Sequence, residues 1–163
     1  MEERWHTHLG VYGICTLEGK ILLIHKNGGP YTNRYDLPGG AVDSNEPLVH
    51  ALRREFLEET ATSIKVIRNL GVLDYVIPFK LEKRGTTHIH QVAIYYEVEY
   101  VSGDLTYTMN MHNNDSIGSE WVAINQLTPN NSSPLVMQAL NWLKDKNNHS
   151  LEAARLDNWT IQQ

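Results

Sequence analysis

The residues best equipped for chemistry lie in one short stretch, Arg54-Glu55-Phe56-Leu57-Glu58-Glu59. At about 100° per residue, a helix here places Leu48, Ala51, Leu52 and Phe56 on one stripe, the side turned to a core. Glu55 and Glu59 fall within that stripe instead of opposite it. Glu58 sits beside it, and Arg54 lies next to Glu58. Carboxylates in line with a core stripe are costly unless something compensates them. They also occupy the C-terminal half of the helix, where the backbone dipole favours cations. At spacings i, i+3 and i+4 they repel one another. A bound divalent cation is the simplest compensation. Oxygen ligands with no cysteine among them point to Mg²⁺ or Mn²⁺ over zinc. The competing reading is a helix that projects past its sheet, its last turn a solvated charged face.

The flanking segments must hold this helix in place. Pro47 opens it, as proline suits a first turn, and it runs to about Thr60. Upstream, His8 to Thr16 reads as a strand, Glu18-Gly19 as a tight turn and Lys20 to His25 as a returning apolar strand. Asn27-Gly28-Gly29-Pro30 is a loop. Leu37-Pro38-Gly39-Gly40 is a second break, followed by the polar run Asp43 to Glu46. Downstream, Ile64 to Ile77 alternates enough for one or two strands, and Lys80 to Thr86 is a charged hairpin loop. His90 to Tyr100 is a long strand rich in β formers. A short strand near Leu105 to Thr108, a polar loop from Met109 to Ser119 and a last strand from Glu120 to Ile124 follow. Ser133-Pro134 starts a second helix through about Lys146, with Leu135, Ala139, Leu140 and Leu143 on one face. Leu151 to Trp159 reads as a short tail helix. Strands, helix, strands, helix is the order of an α/β protein with a mixed sheet flanked by helices. The length, 163 residues, fits a single domain over 1–163.

Gly40, Glu46 and Arg54-Glu55-Phe56-Leu57-Glu58-Glu59 stand at the spacing of the Nudix box, which this segment resembles. That box reads Gly, five residues, Glu, seven residues, then Arg-Glu-apolar-any-Glu-Glu-any-Gly-apolar. Leu37-Pro38-Gly39 just before it also looks like that family. Two positions depart: Ala61 stands for the box's Gly, and Thr62 for its apolar residue. The Gly normally ends the helix in a left-handed conformation. Ala there costs about 1 kcal/mol, or the helix ends differently. The resemblance implies a Nudix-type α/β/α sandwich and a Mg²⁺-dependent pyrophosphohydrolase. It implies a small-molecule substrate, a nucleoside diphosphate derivative or nucleoside triphosphate. By the same carry-over, Glu55, Glu58 and Glu59 are metal ligands, and the Gly40 carbonyl adds another. Arg54 holds the carboxylates by salt bridges, and Glu46 binds metal through water or supports the loop. The family often pairs into homodimers.

A phosphoanhydride is shielded by its own negative charge. Cations must screen it, and a carboxylate must take a proton from the attacking water. Glu55 can be that base if it is not occupied as a ligand. The family often takes a base from a late loop, where Asp115 and Glu120 are the candidates, each otherwise a solvated acid. Lys26 ends the second strand, and Arg34 lies just before Gly39 and Gly40; either can reach a phosphate or be a surface charge. Tyr31, Tyr35 and Tyr75 can stack on a base or serve as core and rim aromatics. His6 and His8, like His88 and His90, share a strand face, as a transition-metal pair or as ordinary strand-end residues.

Fourteen Lys and Arg against nineteen Asp and Glu give a net charge of -5, the wrong sign for a general nucleic-acid binder. One cysteine, Cys15, precludes an internal disulfide and a Cys-rich zinc site. No segment has the roughly 20 apolar residues of a membrane helix, and the N-terminus lacks a signal-peptide plan. The expectation is a cytoplasmic protein without a stable nucleic-acid complex. The alternative to an enzyme is a non-catalytic nucleotide- or metabolite-sensing module on the same fold. Retention of Glu55, Glu58 and Glu59 favours the enzyme.

Overall fold

A computed structural model describes residues 2–82, 85–104, 116–147 and 154–163. Its strands are β1 (Trp5–Leu17), β2 (Lys20–Lys26), β3 (Tyr35–Asp36), β4 (Gly39–Ala41), β5 (Thr62–Leu81), β6 (Thr86–Gly103), β7 (Ser116–Ala123) and β8 (Ala154–Arg155). The helices are α1 (Leu48–Thr60) and α2 (Pro134–Lys144). The strand order is β3-β2-β1-β6-β5-β8, with β4 added on β1 and β7 on β2. β1 runs parallel to β6 from Trp5↔His88 to Cys15↔Val98 and antiparallel to β2 and β4, so the sheet is mixed.

Strand alternation divides the core in two. Tyr12, Ile14, Ile21, Leu23, Ala93 and Tyr95 pack with Leu135, Val136, Ala139 and Trp142 of α2. Their neighbours Val11, Cys15, Leu22, Ile94, Tyr96 and Val98 pack with Ala51, Leu52 and Phe56 of α1. The sheet is therefore buried on both sides, with one helix to each core, the sandwich architecture expected from the sequence. Among the described residues no helix is long and apolar enough to cross a membrane.

Several elements differ from the sequence expectation. The break at Leu37 to Gly40 contains β4, whose Gly39 and Gly40 face Tyr12 and Val11 across the ladder. Pro47 stands just outside α1, in extended conformation, and its carbonyl accepts from the Ala51 amide. The segment after α1 is a single 20-residue strand kept continuous by bulges, one beside Gly71. β7 starts four residues earlier than expected, within the supposed polar loop. The tail helix is overturned over 154–159: Ala154 and Arg155 pair in parallel with Tyr75 and Val76, and the Leu156 amide donates to the Val76 carbonyl. The edge of β5 offered those backbone groups partners, which outweighs a weak local helix preference. The expected strand at 105–108 lies outside the described residues.

α1 ends as the box's glycine would end it, although the residue is Ala61. Its φ of 51° and ψ of 27° are left-handed, and its amide donates to Leu57 O at 3.0 Å. Thr62, in place of an apolar residue, is buried with its hydroxyl 2.6 Å from that of Thr60. Thr60 spends its proton on Phe56 O, so Thr62 is the donor between them. A Cβ in the left-handed region costs about 1–2 kcal/mol. Ala61→Gly should therefore stabilise the fold by about 1 kcal/mol, part of the gain being lost to unfolded-chain entropy. Thermal unfolding should show this as a rise of about 2–4 °C in Tm.

Candidate active site

The acids of α1 are organised by one guanidinium. Arg54 donates through Nε and Nη2 to the two oxygens of Glu46, each at 2.8 Å. Its Nη1 reaches Glu55 Oε1 at 2.6 Å and Glu58 Oε2 at 3.4 Å, and Nη2 also donates to the Ala41 carbonyl at 3.1 Å. Asp43 stands 3.7 Å away. One cation thus faces four carboxylates, and α1 has no basic residue in its last turn. The two best-held acids respond in opposite directions. The bidentate bond from Arg54 holds the Glu46 carboxyl down at about 2. Burial pushes Glu55 up, with the charges of Glu58 and Glu46 adding to the rise and Arg54 opposing it.

Glu59 is buried, at 2% exposure, with Oε2 accepting from the Gly39 amide at 2.9 Å. Gly39 has φ +146°, and a Cβ there would stand 2.0 Å from the Val11 carbonyl oxygen. A Cβ on Gly40 would lie 2.7 Å from Glu55 Oε2. The bare Gly40 position lets the Glu55 carboxylate press against β4, where a side chain would displace it, and the bare Gly39 position lets β4 press against β1 at Val11 and Tyr12.

Glu55 and Glu59 line a cavity of about 320 Å³ together with Gly39, Gly40, Ala41, Lys26 and Asp36. Its far reach follows β1 and β6: Tyr12 faces Gly39 across one ladder, while His6 faces Ile89 across the other. Six residues of strand separate them, roughly 20 Å. Phe79, Leu81 and Ile89 supply apolar walls, and His6 and His8 also line the cavity. Buried Gln91 ties its wall: its Oε1 accepts from the Tyr31 hydroxyl, and its Nε2 donates to the Tyr12 hydroxyl at 2.8 Å. Tyr12 in turn stands 3.2 Å from His8 Nε2. Asp36 Oδ1 accepts from Leu37 N and from Ser133 Oγ, the hydroxyl that also caps α2, so this wall is braced by the second helix.

The structure thus brings Glu55, Glu59, Gly39, Gly40 and Lys26 to one cavity. Glu58 is exposed beside Arg54 and does not line it. Arg34 does not line it either; its guanidinium is buried 4.2 Å over the Trp159 ring. Glu120 is engaged by His25 Nε2 at 2.8 Å and the Tyr35 hydroxyl at 3.2 Å. Asp115 lies outside the described residues. Tyr31 lines the cavity, Tyr35 meets Glu120, and Tyr75 is buried against Tyr95. His88 stacks on Trp5, and His90 binds Asp74 at 2.7 Å. Among the described residues no three His, Cys, Asp or Glu side chains converge as a ready-made ion cage. The donor chemistry still fits a hard divalent cation: carboxylate oxygens partly shut off from water at a cavity edge, with a single guanidinium to offset them. Sequence reasoning missed Tyr12, Asp36 and Gln91. Period 2 places residues 6, 8 and 12 on one face, but only the pairing of β1 with β6 reveals that Gln91 joins them.

The chain matches the NUDIX domain family over residues 5–144. An ADP-ribose pyrophosphatase of Methanocaldococcus jannaschii is 35% identical over 100 residues, 61% of this chain and 55% of that protein. An 8-oxo-dGTP diphosphatase of Buchnera aphidicola is 40% identical over 48 residues, 29% of this chain and 39% of that protein. The matches therefore span about half or less of the length of these relatives. Among solved structures, a NUDIX hydrolase from Nitrosomonas europaea superposes with a TM-score of 0.68 at 19% identity, covering 88% of this chain and 92% of its own.

The opposite shifts of Glu46 and Glu55 give a pH test. Glu46 is held below the ordinary carboxylate value of 4.5, so its contribution to stability is complete above 4.5 and disappears as pH falls toward 2. Urea unfolding between pH 5 and 2 should show Glu46→Gln less stable than wild type at pH 5, the gap closing by pH 2.

Proposed function

The chain belongs to the Nudix family, and from that premise we propose that it hydrolyses the diphosphate linkage of a nucleoside diphosphate derivative, with ADP-ribose as the first substrate to test. The observation that carries the reading is the placement of Glu55 and Glu59 at the edge of a cavity whose length suits more than a phosphate group. The relative from M. jannaschii supports the choice of ADP-ribose; the relative from B. aphidicola makes an oxidised purine triphosphate the second arm.

Glu55 and Glu59, with the Gly40 carbonyl and with Glu58 from its exposed position beside Arg54, are the groups that would hold a divalent cation, Mg²⁺ or Mn²⁺. That cation, when bound, screens the phosphates and acidifies water. Lys26 adds a second positive charge on the cavity wall for the phosphate oxygens. Arg54 fixes the orientation of Glu55 and ties the loop through Glu46 and Ala41 to the helix. Where Glu55 is not itself bound to the cation, it is the carboxylate that takes the proton of the attacking water, since it faces the cavity, whereas Glu120 is held by His25 and Tyr35. Water oxygen bonds to phosphorus, the bridging P–O bond breaks, and the departing phosphate carries the electron pair. The walls formed by Phe79, Leu81, Ile89 and the Tyr31–Gln91–Tyr12 chain receive the base or sugar beyond the diphosphate.

A panel of ADP-ribose, other sugar nucleotides, dinucleoside polyphosphates and 8-oxo-dGTP with Mg²⁺, read by product nucleotide, tests this. Glu58→Gln and Glu59→Gln should each lower kcat by about two orders of magnitude or more with the fold retained. The Gln at 59 keeps an acceptor for the Gly39 amide. EDTA should abolish turnover and excess Mg²⁺ restore it. Full activity in both variants, or indifference to EDTA, removes the assignment.

A further inference from the structure

The tail 154–163 lies beyond the residues that match the family, yet it reaches the cavity wall. That wall includes Gly29, Pro30 and Tyr31, from the loop between β2 and β3. The loop closes its own neck, with Lys26 N donating to Arg34 O and Asn33 N to Lys26 O. Toward its tip, three contacts come from one residue of the tail. Trp159 Nε1 donates to the Pro30 carbonyl at 2.8 Å. The Trp159 and Tyr31 rings meet edge to face at 5.9 Å. The Arg34 guanidinium lies over the Trp159 ring at 4.2 Å, and buried Nε and Nη1 of Arg34 have no hydrogen-bond partner, so the ring face is what receives that charge. The tail is itself anchored: Arg155 pairs with Val76, Leu156 N donates to Val76 O, and Asn33 Nδ2 and Gln162 Nε2 donate to backbone carbonyls that join the tail to the rest of the chain.

We propose that Trp159 is a positioning residue for substrate binding, setting the loop 27–34 so that Tyr31 meets Gln91 and completes the cavity wall. This rests on the reading of the cavity as the substrate site. The path is continuous: Trp159 abuts Tyr31, Tyr31 donates to Gln91, Gln91 to Tyr12, and Tyr12 meets His8. The path runs along the cavity wall through hydroxyl, amide and imidazole groups, so its effect is assigned to binding, and the chemical step is left to Glu55, Glu58 and Glu59. It also explains why Arg34, placed by its sequence position to reach a phosphate, is withheld from the cavity.

The test uses the full chain as Trp159→Ala, Trp159→Phe and, as a tail control, Arg155→Ala, whose side chain is exposed and bonded to Asp157. Backbone amide exchange is measured without ligand, then kcat and KM for ADP-ribose with Mg²⁺. Trp159→Ala should speed exchange at 27–35 while β1 and β6 stay protected, and raise KM about tenfold with kcat within about threefold. Trp159→Phe keeps a ring for Tyr31 and Arg34 and should fall between; Arg155→Ala should match wild type. Unchanged exchange at 27–35, a loss in kcat with KM unmoved, or faster exchange across the whole sheet overturns the proposal. If wild type leaves ADP-ribose intact, that choice of substrate has failed, and exchange at 27–35 decides the proposal alone.

Discussion

A single guanidinium among four carboxylates is the constraint from which the rest of the site follows. Arg54 binds Glu46 on the loop, Glu55 and Glu58 on its own helix, and the Ala41 carbonyl at the end of β4. It therefore joins the loop and strand that precede α1 to the helix itself. A guanidinium can do this because its five donors form a rigid planar fork; an ammonium would satisfy one or two of these acceptors at a time. The neutralisation is incomplete. Glu46 takes most of the charge, and Glu55 is left desolvated and reluctant to ionise. The fold thus keeps an electrostatic deficit at the edge of a cavity, where a cation has most to gain from entering.

Much of this was legible in the sequence for definite reasons. The stripe of Leu48, Ala51, Leu52 and Phe56 and the intrusion of Glu55 and Glu59 follow from helical periodicity alone, and the burial of Ala51, Leu52, Phe56 and Glu59 agrees with it. The closeness of Gly40 to Glu55 has a steric signature that a glycine in the motif announces. Ala61 shows the limit of such rules, since the left-handed cap persists without glycine: closing the helix at that point is dictated by the departure of β5.

What could not be read depended on pairings between distant segments. Alternation identifies a face but not the strand beside it, so His6, His8 and Tyr12 gave no hint of Gln91. Arg34 looked available to phosphate because its partner, Trp159, stands 125 positions later in a segment that reads as helix. The edge of β5 captured that segment as a strand, and a buried cation found an aromatic face in place of a carboxylate. Glu120, a reasonable base on position alone, is engaged by His25 and Tyr35 once β7 lies along β2.

The parallel union of β1 with β6 also bears on how the molecule comes into being. A parallel pair cannot close through a tight turn, and here residues 18–85 of the chain intervene between the two strands. During synthesis the acids of α1 emerge well before Gln91, and Trp159 comes last of all. Until the far strand docks, the cavity beside the helix lacks that strand's wall. Enclosure of the acids is thereby tied to synthesis through β6, and a product cut short before that strand would carry the acids without the wall that Ile89 and Gln91 supply.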